Sequence, residues 1–268
     1  MSIWYYIIGT IVVAYLVICV FFYVYQESFL FHPRKTRADF KYDFDHPVEE
    51  KFYTTPNNGN IHTLKFEVEN SKGIVLYMHG NAGSLRDWGW IYKDFVARGY
   101  DILLIDYRTY GKSTGKLSEK NMHSDVTFIY DELKKDYQEN QIIIYGRSIG
   151  TGMAAHIASI RKPKALVLET PYYSIIDIAK RIVPFLFLEP LLKYKFKSFK
   201  FLKTVECPIY FLHGTNDNVV PYATGLRLYN TVKDRAKLIT VKDGQHNNLS
   251  QFEEYYKMLD EVLKPELF

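Results

Sequence analysis

The sequence predicts an α/β fold, in which a mostly parallel sheet carries helices on both faces. After residue 60, short runs of β-branched and apolar residues alternate with stretches of helical spacing. The short runs are apolar throughout, which is typical of parallel strands buried on both faces. A chain of 268 residues is long enough for one such domain and an N-terminal appendage.

The first 26 residues predict a membrane anchor. Residues 3–25 contain no charged side chain, and at 1.5 Å per residue they reach roughly 35 Å, enough to cross a bilayer core. A cleaved signal peptide would need a basic start and a small-residue cleavage site, and neither precedes Ser28. We therefore expect one transmembrane helix at 1–26 and a globular domain at 27–268.

Basic residues beside the apolar run predict its orientation. Arg34, Lys35, Arg37 and Lys41 follow the run, and no basic residue precedes it. Basic flanks usually stay on the cytoplasmic side of a membrane. The domain after residue 27 is therefore expected to face the cytoplasm.

Composition argues against two other classes of function. The net charge is only +4 and most lysines are dispersed along the chain, so no nucleic-acid partner is expected. Cys19 lies in the apolar run and Cys207 precedes Pro208, and neither has other metal-ligating residues beside it. We expect neither a disulfide nor a metal site.

Six strands and five helices are expected to alternate. The strands are predicted at 74–78, 102–105, 142–145, 165–168, 209–212 and 238–241. The helices are predicted at about 84–98, 118–137, 149–160, 222–232 and 248–264. Segment 62–68 alternates polar and apolar residues, which predicts an antiparallel strand at the edge of the sheet. The βαβα order of the rest predicts a parallel sheet.

One interval is too long for an ordinary connection. Some forty residues separate the strand ending at 168 from the one beginning at 209, and they include Pro171, Pro184 and Pro190. Ligands of open α/β sheets bind at the carboxyl ends of the strands. We interpret residues 171–204 as a small helical cap over that edge.

A GxSxG motif at 146–150 directly follows the strand at 142–145 and precedes a run of small residues. Its two glycines allow a tight turn from strand to helix, which presents a serine at the end of the sheet. A purely structural glycine turn is the alternative interpretation. The context favours Ser148 as a nucleophile.

A serine nucleophile needs a base, and the base needs an acid that orients it. In folds with this turn, the acid and then the histidine follow the serine along the chain, each after a strand. Asp217 follows the strand at 209–212, and His246 follows the strand at 238–241. Asp243 and Asp177 are weaker candidates for the acid.

Backbone N–H groups normally stabilise the oxyanion of acyl transfer. The sequence His-Gly-Asn-Ala-Gly at 79–83 ends the strand that should neighbour the nucleophile strand. The amides of Asn81 and Ile149 are predicted to form the donor pair, with Ala82 as the alternative to Asn81.

Together these motifs resemble the α/β-hydrolase-domain proteins of the bud-emergence type, which are membrane-anchored serine hydrolases related to depalmitoylases and acylaminoacyl-peptidase-like enzymes. The resemblance covers nearly everything after residue 27. It rests on the motifs at residues 31–33, 79–83, 106–108, 146–150, 213–217 and 244–247. It implies the α/β-hydrolase fold, preceded by an N-terminal membrane segment. Thr109 departs from it, because the group usually has glycine there.

The function expected is hydrolysis of carboxylic esters or thioesters through an acyl-enzyme, without a metal or an organic cofactor. Lysines interleave with aromatic residues at 193–203, which suits anionic headgroups near an acyl chain, so a lipid-like or acylated substrate is expected. Two alternatives stay open. The chain could be a serine peptidase of the acylaminoacyl-peptidase-like type, or a catalytically silent, membrane-tethered binding scaffold.

Overall fold

The computed structural model describes residues 3–264. Within them, eight strands form one sheet: β1 Glu49–Thr55, β2 Gly59–Phe66, β3 Ile74–Met78, β4 Asp101–Ile105, β5 Ile142–Arg147, β6 Ala165–Glu169, β7 Ile209–Gly214 and β8 Ala236–Val241. The α-helices in the same part of the chain are α1 Ile3–Leu30, α2 Leu85–Trp88, α3 Tyr92–Val96, α4 Glu119–Leu133, α5 Gly150–Ala158, α6 Ile175–Ile182, α7 Leu188–Leu191, α8 Ser198–Phe201, α9 Tyr222–Tyr229 and α10 Glu253–Val262.

The strands lie in the order β8-β7-β6-β5-β3-β4-β2-β1. The six strands from β8 to β4 are mutually parallel, while β2 pairs antiparallel with both β4 and β1. The predicted mostly parallel α/β sheet is thus confirmed. The carboxyl ends of β3, β5, β6, β7 and β8 share one edge, where ligands of such sheets bind.

The central strands are buried because helices cover both faces of the sheet. In β3, Ile74, Leu76 and Met78 pack with α4 and α5, whereas Val75 and Tyr77 pack with α3 and α10. Alternate residues of a strand point to opposite faces, so each residue of β3 has an apolar neighbour. This explains why the sequence of this strand is apolar throughout.

Three sequence predictions about these elements need correction. The antiparallel strand at 62–68 is β2, and it is not the edge, because β1 lies outside it. The helix predicted at 84–98 is divided into α2 and α3. The helix predicted at 248–264 begins only at Glu253, because Leu249–Gln251 forms a 3₁₀ turn.

Helix α1 has 28 residues and is long and apolar enough to cross a membrane. It continues four residues beyond the predicted boundary at 26. Directly after it, His32 and Pro33 pair in parallel with Ala82 and Gly83. The end of α1 is therefore attached to the loop that follows β3. The division into an anchor at 1–26 and a domain after it stays a prediction.

The interval at 171–204 contains α6, α7 and α8 and contacts α1. Gln26 of α1 is buried at this contact. Its side-chain amide donates to the Leu191 carbonyl at 3.4 Å, and its Oε1 accepts the Lys193 N–H at 2.7 Å. We call residues 171–204 the cap.

Candidate active site

Ser148 lies in the sharp turn between β5 and α5. Its φ angle is +51°, in the left-handed region that residues with a side chain seldom adopt. Gly150 begins α5 so close to β3 that a Cβ atom there would lie 2.2 Å from the Met78 carbonyl oxygen. Only glycine fits that contact, so the second glycine of the motif is required for the turn that presents Ser148.

The three side chains predicted to be catalytic lie in one hydrogen-bonded row. His246 Nε2 is 3.1 Å from Ser148 Oγ, and His246 Nδ1 is 2.7 Å from Asp217 Oδ2. Ser148 follows β5, Asp217 follows β7 and His246 follows β8, so three strand ends meet here. Both distances lie in the range in which an imidazole can accept a proton from a hydroxyl while a carboxylate orients it.

Asp217 is held in its charged form. Burial alone would raise its pKa, but hydrogen bonds from His213 and His246 outweigh burial and bring the pKa below its usual range. Its Oδ1 also accepts the backbone N–H groups of Val219 and Val220, at 2.9 and 2.8 Å. A carboxylate fixed this way favours the tautomer of His246 that carries its proton on Nδ1.

The two weaker candidates for the acid have other partners. Asp243 Oδ1 accepts a hydrogen bond from the Asn216 side-chain amide at 3.3 Å. Asp177 in α6 forms an ion pair with Arg227 at 2.6 Å. Neither contact involves the imidazole that Asp217 binds.

The loop after β3 lies beside Ser148. A Cβ atom on Gly80 would be 3.8 Å from Ser148 Cβ. Within residues 3–264, the backbone N–H groups of Asn81 and Ile149 donate to no acceptor. The N–H of Ala82, the alternative to Asn81, likewise donates to no acceptor in that part of the chain. Two unoccupied amides on either side of the serine suit a pair of donors to a developing oxyanion.

Hydrogen bonds from three directions fix the conformation of this loop. Tyr107 Oη donates to the His79 carbonyl and Tyr110 Oη donates to the Asn81 carbonyl, both at 2.6 Å. The Asn81 side-chain amide donates to the Leu30 carbonyl at 2.7 Å. The loop is therefore attached both to the turn after β4 and to the last residue of α1.

Asp106, which begins that turn, is buried beneath the loop. Its carboxylate accepts the Leu85 N–H at 3.0 Å and lies 3.3 Å from His79 Nε2. Burial alone would raise its pKa, but hydrogen bonds from His62 and His79 hold the pKa below its usual range. His79 thus has a structural role in this loop.

Arg147 connects the nucleophile turn to the histidine loop, a role that the sequence does not reveal. Its Nη2 donates to the His246 carbonyl at 3.1 Å and to Asn247 Oδ1 at 3.2 Å. Its Nε lies 3.3 Å from the buried Glu169, and its guanidinium lies 4.8 Å from the centre of the Trp88 ring. The only signal in the sequence is a charged side chain at the second position of GxSxG.

Thr109 has a φ angle of +73°. This left-handed conformation is costly for a β-branched residue and free of strain for glycine. Thr109 therefore replaces the glycine of the hydrolases that this sequence resembles at a position where the backbone is strained. The next residue, Tyr110, donates the hydrogen bond to the Asn81 carbonyl.

No cluster of three or more His, Cys, Asp or Glu side chains that could hold a metal ion occurs between residues 3 and 264. Cys19 and Cys207 are both free thiols. Burial raises the pKa of Cys207 to about 12, which makes that thiol a poor nucleophile.

Residues 69–203, just over half of the chain, match the model of the family described as serine aminopeptidase, S33. The chain belongs to this family of α/β-hydrolases. The predicted α/β-hydrolase fold and the place of the chain among the serine hydrolases are thereby confirmed.

Curated relatives of this S33 hydrolase include lysophosphatidylserine lipases. The lipase ABHD12 of Rattus norvegicus is 35% identical over 179 residues, which are 59% of this chain and 44% of that protein. The lipase ABHD12 of Xenopus tropicalis is 32% identical over 207 residues, which are 69% of this chain and 53% of that protein. This chain spans about half the length of the curated relatives it matches.

Solved structures share the fold of this S33 hydrolase. The Pyrococcus furiosus esterase Pf2001 superposes with a TM-score of 0.71 at 19% sequence identity, covering 87% of this chain and 96% of the esterase. At that identity, the likeness concerns the fold alone.

Proposed function

We propose that the chain hydrolyses carboxylic esters or thioesters, with Ser148 as nucleophile, His246 as general base and Asp217 as the carboxylate that orients it. The observation that carries this proposal is the position of the His246 ring, 3.1 Å from Ser148 Oγ on one side and 2.7 Å from Asp217 on the other. A serine hydroxyl is a weak nucleophile at neutral pH until a positioned base takes its proton.

In the first half of the reaction, Ser148 Oγ attacks the carbonyl carbon while its proton passes to His246 Nε2. The tetrahedral intermediate collapses as the alcohol or thiol leaves with that proton, and the acyl group stays on Oγ. Water then attacks the acyl-enzyme and gives a proton to His246. Collapse of the second intermediate releases the carboxylic acid and returns the proton to Ser148.

The N–H groups of Asn81 and Ile149 are the proposed donors to the oxyanion in both halves. Their lack of acceptors within residues 3–264 supports this assignment, as does the position of Gly80 against Ser148. Donors fixed in advance need no rearrangement when the negative charge develops, which is why such amides lower the barrier.

The proposed substrate is a membrane lipid or another acylated molecule. Support comes from α1, which is apolar enough to cross a membrane, and from relatives described as lysophosphatidylserine lipases. In the cap, Lys193, Lys200 and Lys203 are exposed and could face anionic headgroups. We further propose that α1 is a single membrane span and that the basic residues after it keep the domain in the cytoplasm.

The description of the family favours a second candidate, cleavage of an aminoacyl bond. The same three side chains would serve, because amide and ester hydrolysis share the acyl-enzyme. A silent scaffold is the third candidate, and an intact row of serine, histidine and aspartate argues against it.

Labelling and turnover of the detergent-solubilised full chain test these candidates. A fluorophosphonate probe should label the wild type and the Ser159→Ala control but not Ser148→Ala. Turnover of lysophospholipids and nitrophenyl esters should fall by at least about four orders of magnitude in Ser148→Ala. If the chain cleaves aminoacyl anilides and none of the esters, the result would favour the peptidase function. Absence of both labelling and turnover would favour the scaffold.

A further inference from the structure

The end of the cap that lies along α1 exposes large apolar side chains. Residues 182–188, the cap tip, contain no charged residue. Ile182, Phe185 and Phe187 are 75%, 61% and 75% exposed. Neighbouring apolar side chains in such positions mark a surface that meets another apolar phase.

The buried side of the cap tip packs on the middle of α1. Val183, Leu186 and Leu188 form a cluster with side chains of α1 that include Tyr15. The backbone N–H of Phe187 donates to Tyr15 Oη at 3.2 Å. This hydrogen bond satisfies a backbone group that could not be left unpaired in hydrocarbon.

The position of Tyr15 sets the depth of the tip. Tyr15 precedes Glu27, the first charged residue of α1, by twelve residues, about 18 Å along a helix. A bilayer core is about 30 Å thick, so Tyr15 of a spanning α1 lies near its middle. A segment that contacts Tyr15 then lies inside the hydrocarbon.

A cavity of about 450 Å³ lies between α1 and the cap. This volume is within the range of roughly 300 to 1,000 Å³ that small-ligand pockets occupy. Its walls are mainly apolar, and they include Phe22, Phe29 and Leu30 from α1 and Ile175, Ala179 and Leu192 from the cap.

The two polar side chains in the cavity wall already have partners. Gln26 is bonded to the backbone of Leu191 and Lys193, as described above. Tyr194 Oη donates to Glu27 at 2.9 Å. Such a wall suits a hydrocarbon chain and offers little to a polar ligand.

The cavity is adjacent to the proposed oxyanion loop. Leu30 lines the cavity, and its carbonyl oxygen accepts the hydrogen bond from the Asn81 side chain at 2.7 Å. This hydrogen bond therefore connects the wall of the cavity directly to the loop beside Ser148.

Exposed basic side chains lie near both ends of the apolar tip, and Glu189, which directly follows the tip, is ion-paired with Lys195 and Lys197. Lys180 and Arg181 precede it and Lys193 follows it, and all three are exposed. Lys193 Nζ also lies 4.4 Å from the centre of the Tyr23 ring of α1. Cations at the border of an inserted apolar segment match the anionic headgroups of a membrane surface.

We propose that the cap tip lies in the bilayer beside α1, and that the cavity between them binds one acyl chain of a membrane lipid that enters directly from the bilayer. The membrane contact stands independently of catalysis. The consequence for turnover rests on the proposed ester hydrolysis, so two experiments address the two parts separately.

Tryptophan fluorescence tests the membrane contact. Phe185→Trp and the control Ile160→Trp, an exposed position at the end of α5, are compared in vesicles of phosphatidylcholine and phosphatidylglycerol. The emission added at residue 185 should be quenched by lipids brominated on their acyl chains, and the emission added at residue 160 by aqueous acrylamide. Equal acrylamide quenching at the two positions, without quenching by bromolipid at 185, would overturn the proposal whatever the enzyme does.

Kinetics test the cavity. Ala179→Trp places a large ring in it, whereas Ile160→Trp places the same ring at an exposed position outside the cap and α1. Turnover of a long-chain lysophospholipid in vesicles should fall about tenfold or more in Ala179→Trp alone. Nitrophenyl acetate, which has no chain to place, should be cleaved equally by both variants.

Three kinetic outcomes are distinguishable. Unchanged turnover of the long chain in Ala179→Trp, or an equal loss on the acetate, would refute the acyl-chain site. Inactivity of the wild type toward every ester would refute the proposed function, and the fluorescence measurement would still decide on the membrane contact.

Discussion

The guanidinium of Arg147 donates a hydrogen bond to the backbone carbonyl of His246, 3.1 Å away. The residue before the nucleophile therefore fixes the loop that carries the proposed base. Two loops from different strand ends are joined by a group that touches neither Ser148 Oγ nor the imidazole ring. Arg147 is thus a positioning residue, and its contribution should be to the geometry of proton transfer.

Replacing Arg147 by methionine should lower kcat by about 10- to 100-fold and change KM little, because a small displacement of the base mainly affects the chemical step. The measurement is a set of initial rates on a soluble nitrophenyl ester. The free energy of unfolding should also fall, since Glu169 loses the cation that accompanies it in a buried position.

A double variant separates these two effects. Arg147→Met combined with Glu169→Gln removes both charges, so most of the stability should return while kcat stays low. Recovery of kcat together with stability would show that Arg147 acts only on the fold.

Tyr110→Phe should lower kcat about tenfold, because the Asn81 carbonyl loses a 2.6 Å hydrogen bond and the proposed oxyanion loop becomes less rigid. Tyr130→Phe is the matched control. Tyr130 lies in α4, and the variant removes a hydroxyl that donates to Glu139 and not to the Asn81 loop. Both variants should lose roughly 1 kcal/mol in urea unfolding. Equal rates for the two variants would contradict the role given to the loop.

Burial on both faces explains which strands the sequence predicts well. Strand β3 was predictable to the residue, at 74–78, because every position in it is apolar. Strand β1 was not, because most of its residues are exposed at the edge of the sheet and its sequence is largely polar. A hydrophobic pattern in the sequence reflects burial in the fold, so an exposed edge strand shows little of that pattern.

The candidate site was predictable for a related reason. Ser148, Asp217 and His246 each follow an apolar strand, and parallel strands bring their carboxyl ends to one edge. Contacts between elements far apart in sequence, such as Gln26 with Leu191, have no local pattern. They depend on how the cap faces α1, which only the packed chain determines.

Thr109→Gly should leave the free energy of unfolding unchanged or raise it by up to about 1 kcal/mol. Glycine removes the backbone strain of a β-branched residue at positive φ, and this gain should outweigh the larger conformational entropy that glycine gives the unfolded chain. Gly111→Ala, two residues away, should lose more than about 2 kcal/mol, since its Cβ would lie 1.9 Å from Asp106 Oδ2. Urea unfolding measures both. A loss in Thr109→Gly would mean that the threonine makes a compensating contribution to the turn.

The depressed pKa of Asp217 predicts how stability depends on pH. Its pKa is lower in the folded chain than the value of about 3.9 of an unfolded aspartate, so its charged form favours folding. That contribution is complete above the unfolded pKa and is lost as the pH falls through the folded pKa. Asp217→Asn should therefore be less stable than wild type at pH 7, by a margin that stays constant down to about pH 5 and narrows below it.

Asp243→Asn is the control for this experiment, because Asp243 is the exposed rival acid on the histidine loop. Its carboxylate accepts a hydrogen bond from the Asn216 side chain, so its replacement leaves the contact between Asp217 and His246 in place. At pH 7, kcat should fall by roughly three to four orders of magnitude in Asp217→Asn, since the amide cannot stabilise the imidazolium, and little in Asp243→Asn. Similar losses in the two variants, or a margin of stability that does not change with pH, would remove Asp217 from its proposed place beside His246.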